Sequence, residues 1–205
     1  MLDQRMRRLL EPGLTAVAKH LARAGVRPNH LTLFGAVGGI AAGVAVAADW
    51  LALGLLFGAI SRAADGLDGP LARLKQGSDF GGYLDIVSDF VFYAAIPLGF
   101  AVRDPDAATA TAFLLTGYIL TGVSFLAFSA IAQKRGVVDD GDNRSFLFQP
   151  GLAEGTETLA VYLLMFLRPD WYVTLAWAYF GICVYTALSR SVLARQLFAH
   201  DEPLA

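Results

Sequence analysis

An all-α, polytopic membrane protein is the fold class this sequence predicts, and three observations carry the prediction. The chain has 205 residues, 56% hydrophobic and only 17% charged, with a mean hydropathy of +0.51. Soluble domains carry roughly 25% charged residues. The apolar residues gather into six runs, each near the ~20 residues that a helix needs to cross a bilayer. Inside these runs stand four aspartates, Asp65, Asp68, Asp85 and Asp89, where a carboxylate is costly and so points to function. The length suits one bundle rather than two domains. The net charge of −2 says little, because the placement of Lys and Arg matters more in a membrane protein. No nucleic-acid partner is expected.

Residues 1–26 read as an amphipathic juxtamembrane segment. Leu14, Val17, Leu21 and Ala24 share one helical face, with Lys19, His20 and Arg23 elsewhere, a pattern suited to the membrane surface. Packing as an ordinary terminal helix is compatible with it. The opening MLDQRMRRLLEPG is basic but has no apolar run behind it, so a cleaved signal peptide is not expected. Arg27-Pro28-Asn29 then breaks the chain.

The membrane domain spans 27–196, with 197–205 as a short cytoplasmic tail. Its first run, about 31–48, is rich in Gly and Ala and turns at Asp49-Trp50 into the second, about 51–73. The third, about 82–102, ends at Arg103-Asp104-Pro105-Asp106, and the fourth is about 108–132. A polar loop, 133–149, leads to the fifth, about 150–167, closed by Arg168-Pro169-Asp170, and the sixth is about 171–194. Charges in the second, third and fifth should weaken their hydropathy signal. Cys183, the one cysteine, has no disulfide partner and sits in an apolar run as a small packing residue. Arg5, Arg7, Arg8, Lys19, Arg23, Arg27, Lys75, Lys134, Arg135, Arg144 and Arg195 fall on one side, against Arg103 and Arg168 on the other. Positive residues stay inside, which predicts both termini in the cytoplasm of a multi-pass inner-membrane protein. The aspartates then open to the cytoplasmic side.

Asp65/Asp68 and Asp85/Asp89 are spaced i,i+3 and i,i+4, so each pair shares a helix face. Two helices joined by the short turn 74–80 can aim all four carboxylates at one point. Such a group repels itself unless cations lie within it. Hard oxygen ligands suit Mg²⁺ or Mn²⁺, and Mg²⁺ is commonly shared with substrate phosphates. Gly66, Gly69, Ala72, Gly81 and Gly82 are small, which favours close helix packing or a nucleotide lying against that face. Arg73 suits bidentate contact with a phosphate, against snorkelling to the interface. Asp79 reads as a solvated turn carboxylate.

The pattern Asp-x-x-Asp-Gly-x-x-Ala-Arg followed by Gly-x-x-x-Asp-x-x-x-Asp resembles the signature of the CDP-alcohol phosphotransferases. Asp65, Asp68, Gly69, Ala72, Arg73, Gly81, Asp85 and Asp89 fill all eight positions. The interval between Arg73 and Gly81 is seven residues, one shorter than is usual in the family, which bears on the turn's shape and not on the carboxylates. The likeness runs over the whole chain. It is nearest to a bacterial branch that shares the Met-Leu-Asp start, the Gly81-Gly82 pair and Glu-Gly-Thr-Glu-Thr at 154–158.

The resemblance implies an integral-membrane transferase that moves a phosphatidyl group from CDP-diacylglycerol to an alcohol, releasing CMP, in phospholipid biosynthesis. It implies Asp65, Asp68, Asp85 and Asp89 as ligands of Mg²⁺ or Mn²⁺, two ions in all. It gives Asp89 the further role of catalytic base, although a base shared with a metal is weakened. It implies a CDP site on Asp68, Gly69, Ala72 and Arg73, and a homodimer. Asn29 and Thr32 either contact the CDP group or cap the first span. The acceptor is open. Glu154 and Glu157, i,i+3 on the fifth span, suit a polyol or ammonium group, or else pair with Arg62 or Arg190. Lys134, Arg135 and Arg144 suit an acceptor phosphate or a lipid headgroup. Two other classes use intramembrane aspartates. Prenyltransferases separate their motifs widely, whereas both pairs here lie within 25 residues. Cation transporters are commonly built on inverted repeats, which this chain lacks, and do not need Ala72-Arg73 beside their ligands.

Overall fold

The computed structural model describes the backbone of residues 2–10 and all atoms of 11–136, 153 and 155–198. Among these residues every element is helical. The helices are α1 (Leu2–Arg23), α2 (Pro28–Ala47), α3 (Leu51–Lys75), α4 (Asp79–Arg103), α5 (Ala108–Lys134), α6 (Gly155–Leu167) and α7 (Tyr172–Phe198). Single 3₁₀ turns, Pro105–Ala107 and Pro169–Trp171, precede α5 and α7. Among the described residues, four helical segments are long and apolar enough to cross a membrane: Pro28–Ala47, Asp79–Arg103, Pro105–Lys134 and Pro169–Phe198. The third run has a stronger hydropathy signal than its charges suggested, because those charges sit in the first turns of α4 and leave the rest apolar. Helix α3 reaches the same length but carries Arg62, Asp65, Asp68, Arg73 and Lys75.

Helix starts and stops follow local chemistry. Helix α2 begins three residues before the expected span, at Pro28, whose missing N–H is unused in a first turn. Asp49 takes a left-handed backbone, φ 64°, and lets the chain reverse into α3. Gln76 does the same at φ 59° after α3, a conformation uncommon outside glycine. Ser78 then caps α4 by accepting the Gly81 N–H at 3.1 Å. Asp79 is therefore the first residue of α4 rather than part of the turn, where its charge complements the helix dipole.

Helix α2 is the centre of one half of the bundle, packed between α3 and α4. Small residues permit this. A Cβ on Gly43 would stand 2.3 Å from the Ala95 carbonyl oxygen, and one on Gly99 would stand 2.3 Å from the Gly43 carbonyl oxygen. In the other half α5 packs along α7. Cys183 is buried there against Gly117, as its sequence context suggests. Pro97 lies inside α4 and offers no N–H to the carbonyl of Tyr93. The Tyr162 hydroxyl of α6 donates to that carbonyl at 2.7 Å, so the orphaned acceptor becomes a tie between the halves.

Helix α1 packs on α3. Its inward stripe is Leu14, Ala18 and Leu21, with Ala18 fully buried, whereas Val17 is 48% exposed. The contact therefore follows i,i+4,i+7 rather than the face through Val17 and Ala24, since Leu14 packs over Gly66 of α3.

Candidate active site

The end of α3, the start of α4 and the start of α2 meet at one end of the bundle. Asp65, Asp68 and Asp85 each place a carboxylate oxygen there, and the three oxygens lie within 4.8 Å of one another. Asp68 is buried, and Asp65 and Asp85 are half-buried. Three hard anionic oxygens at this separation fit a divalent cation bound by carboxylates, and without one their mutual repulsion opposes the fold. The residues present therefore suit Mg²⁺ or Mn²⁺.

The Thr32 hydroxyl fixes Asp68 by donating to its Oδ2 at 2.7 Å. This role was absent from the sequence reading, which offered capping or ligand contact. Thr32 also reaches the Pro28 carbonyl at 3.3 Å, so the same hydroxyl ties the first turn of α2 to α3. Asn29 lies against the first turn of α4, where a Cβ on Gly81 would stand 3.0 Å from its Oδ1. The buried Ser61 hydroxyl donates to the Gly35 carbonyl at 2.7 Å and holds α3 to α2 one turn away from the aspartates.

Asp89 stands apart from the three. Its Oδ1 accepts a hydrogen bond from Arg62 Nη1 at 2.6 Å, and the same nitrogen lies 3.5 Å from Asp65 Oδ2. Arg62 is thus bound to the aspartates, not to Glu157, and it is a residue of the site that sequence reasoning had considered only as a partner for Glu154 or Glu157. Its i−3 spacing from Asp65 was the available signal. The guanidinium lies 3.9 Å from the centre of the Phe92 ring, a cation–π contact that offsets its desolvation. Next to Asp89, the Phe90 ring covers Gly122 of α5, where a Cβ would stand 2.2 Å from the ring.

The other expected residues are dispersed. Gly69 and Ala72 follow Asp68 on α3. Arg73 is exposed, and its Nη2 donates to Glu11 of α1 at 3.2 Å. Lys134 and Arg135 lie at the end of α5, exposed, with Arg135 5.3 Å from the Phe198 ring centre. Arg144 and Glu154 are outside the described residues. Glu157 begins α6, and its Oε2 is buried with no hydrogen-bond partner. Arg190 donates to the Thr121 carbonyl and the Ser124 hydroxyl, each at 2.9 Å. A chain of neighbours joins this region to the aspartates. Tyr93 lies one turn beyond Asp89, with its ring 6.0 Å from the Arg62 guanidinium. A Cβ on Gly155 would stand 3.7 Å from the Tyr93 hydroxyl.

A sequence model of the CDP-alcohol phosphatidyltransferases matches residues 26–187. The chain is 39% identical over 192 residues to the inner membrane protein YnjF of Escherichia coli K12, covering 93% of each chain. The fold matches the phosphatidylinositol phosphate synthase PgsA1 of Mycobacterium tuberculosis. With CDP-DAG bound, that protein superposes with a TM-score of 0.71 at 22% identity, over 94% of this chain and 98% of the other. Its complex with manganese and citrate gives a TM-score of 0.73 at 22% identity, over 93% of each chain.

Proposed function

We propose that this chain, which belongs to the CDP-alcohol phosphatidyltransferase family, moves a phosphatidyl group from CDP-diacylglycerol to an alcohol and releases CMP. The observation that carries the reading is the convergence of Asp65, Asp68 and Asp85 within 4.8 Å, on the motif that also supplies Gly69, Ala72 and Arg73. These three carboxylates would hold a divalent ion. When bound, the ion neutralises the diphosphate and stabilises the departing CMP. Thr32 keeps Asp68 turned toward that site through its hydroxyl.

The chain's own residues do the rest. Asp89 takes the proton of the acceptor hydroxyl as its oxygen bonds to the phosphatidyl phosphorus. The bond from that phosphorus to the bridging oxygen breaks, and CMP leaves with the electron pair. Gly69 and Ala72 leave room for the nucleotide against α3, and Arg73 exchanges Glu11 for a phosphate oxygen.

The acceptor enters from the α6 side. In support, Glu157 Oε2 is buried without a partner, which suits a donor group on the incoming alcohol, a hydroxyl or an ammonium. Lys134 and Arg135, with Arg144, would serve a phosphorylated acceptor. We read the protein as a six-span inner-membrane homodimer. Residues 1–26 form its surface helix, 27–196 its membrane domain and 197–205 a cytoplasmic tail; α3 and the fifth run are the two further spans, and both termini face the cytoplasm. The arginine and lysine distribution supports that orientation.

The test is CMP release from CDP-diacylglycerol by purified protein with Mg²⁺ or Mn²⁺, across polyol, amino-alcohol and sugar-phosphate acceptors. Acceptor-dependent release that Asp89→Asn abolishes, while CDP-lipid binding persists, is the expected result. Full activity in Asp89→Asn would remove that residue as the base.

A further inference from the structure

We propose that Arg62 is an internal counter-cation that occupies the place of a second metal ion, so that the centre holds one ion at rest and takes the second only with the nucleotide. The inference rests on the metal-centre reading of the aspartates and goes beyond it.

Three observations converge. First, the oxygens that come within 4.8 Å of each other belong to Asp65, Asp68 and Asp85. Asp89 is not among them, and its Oδ1 is held by Arg62 at 2.6 Å. Second, one nitrogen, Nη1, contacts both Asp89 Oδ1 and Asp65 Oδ2, at 2.6 and 3.5 Å. An ion shared by those two carboxylates would need both oxygens at roughly 2.1 Å. It would therefore compete with Nη1 for those same two oxygens, and guanidinium and ion exclude one another there. Third, Arg62 is built into the site. Its side chain is 14% exposed and stacks on Phe92, but its Nε is buried with no partner. The guanidinium is held by charge and stacking with part of its hydrogen bonding unmet, a state that a better cation can displace.

Charge balance sets the order of events. Four carboxylates and one guanidinium leave the site with three net negative charges. One divalent ion reduces this to a single negative charge. A second ion in the place of Arg62 brings four carboxylates and two divalent ions to neutrality, and a diphosphate arriving between the ions adds the oxygen ligands with which that ion outcompetes the guanidinium. Arg62 then leaves Asp89, one carboxylate oxygen of which passes to the ion while the other takes the acceptor's proton. Arg62 is in this sense a positioning residue: it acts on the reaction through Asp89 and the second ion.

Mn²⁺ titration of the purified protein in lipid nanodiscs, read by electron paramagnetic resonance, tests this directly. Wild type should bind one uncoupled Mn²⁺ and gain a spin-coupled second ion on addition of CMP. Arg62→Met should show the coupled pair without nucleotide, with the second ion bound at least tenfold more tightly than in wild type. Arg62→Lys, which keeps a cation, should behave as wild type. A coupled pair in nucleotide-free wild type would overturn the proposal by itself, whether or not the variants fold. A single ion in folded Arg62→Met would also overturn it. Absence of any bound Mn²⁺ in wild type would instead remove the metal centre on which the proposal stands.

Discussion

The two halves of the bundle treat buried polarity in opposite ways. Around α2, α3 and α4 charged groups gather at one end, among small residues and the buried hydroxyls of Thr32 and Ser61: Asp65, Asp68, Asp85, Asp89 and Arg62 beside Gly35, Gly69 and Gly81. Among α5, α6 and α7 the buried polar residues are neutral hydroxyls, two of them paired across helices, and the charged Arg190 and Glu157 are only half-buried. Thr111 meets Tyr172 at 2.6 Å, Thr158 meets Tyr179 at 2.7 Å, and Tyr162 reaches back to α4. Neutral pairs satisfy themselves and act as ties in a medium that offers no water. The charged group brings three carboxylate oxygens within 4.8 Å of one another and so suits a cation from outside. The comparison teaches that one half is shaped for a ligand and the other for cohesion, with Tyr93 and Glu157 at their border.

The largest effect should come from the charged half. Asp68→Asn keeps the side chain's shape and the Thr32 contact but removes an anionic ligand atom, so turnover should fall by on the order of 10²–10³-fold or more. The melting temperature without metal should hold or rise, because a repelling charge is gone. Measuring CMP release and thermal stability on one preparation separates the two. A variant that keeps its activity would break the distinction between the halves.

Next comes close packing. Gly43→Val places a Cβ against the backbone oxygen of Ala95, an obstacle that cannot swing aside as a flexible side chain would. A loss of roughly 3 kcal/mol or failure to fold is expected. The matching change in the other half is Gly181→Ala on α7, where an added Cβ meets nothing within 4 Å. That substitution should be neutral, or stabilising by up to about 1 kcal/mol. Thermal melts in one detergent decide the pair, and equal losses would show that the close approach at Gly43 is not special.

Smaller again is the tie between the halves. Tyr162→Phe leaves the ring packing in place but strands the Tyr93 carbonyl that Pro97 has already deprived of its N–H. A cost of about 1–3 kcal/mol is expected. If the melting temperature is unchanged, the hydroxyl pairs of this half are not ties.

The same division explains what was legible in the sequence. The aspartate site is written locally, in i,i+3 and i,i+4 spacings on two adjacent helices, so helical geometry alone brings Asp65, Asp68 and Asp85 together. The four long apolar helices were readable from composition. Arg62 was considered for Glu154 or Glu157 and not for the aspartates, because its contacts are with Asp89, 27 residues away, and the Phe92 ring. The Thr32–Asp68 bond crosses 36 residues, and no periodicity encodes it. Helix α1 turned its Leu14–Ala18 stripe to α3 because Gly66 leaves room there, a tertiary fact. The proposed acceptor side is hardest to read for the same reason, since its residues Tyr93, Lys134 and Glu157 stand singly on α4, α5 and α6.

Glu157 tests where the border between the halves lies. Its Oε2 is buried and unpaired, and a carboxylate in that position is retained only if something else compensates it. If an alcohol's hydroxyl or ammonium donates to it, Glu157→Gln should raise the acceptor KM by about tenfold, one charge-assisted hydrogen bond weakened, and leave the CDP-diacylglycerol KM unchanged. A phosphorylated acceptor held by Lys134 and Arg135 gives the opposite sign, because removal of a nearby negative charge would then lower the acceptor KM. If both KM values stay constant while the melting temperature shifts, Glu157 belongs to the cohesive half, and the ligand-shaped region ends at Tyr93.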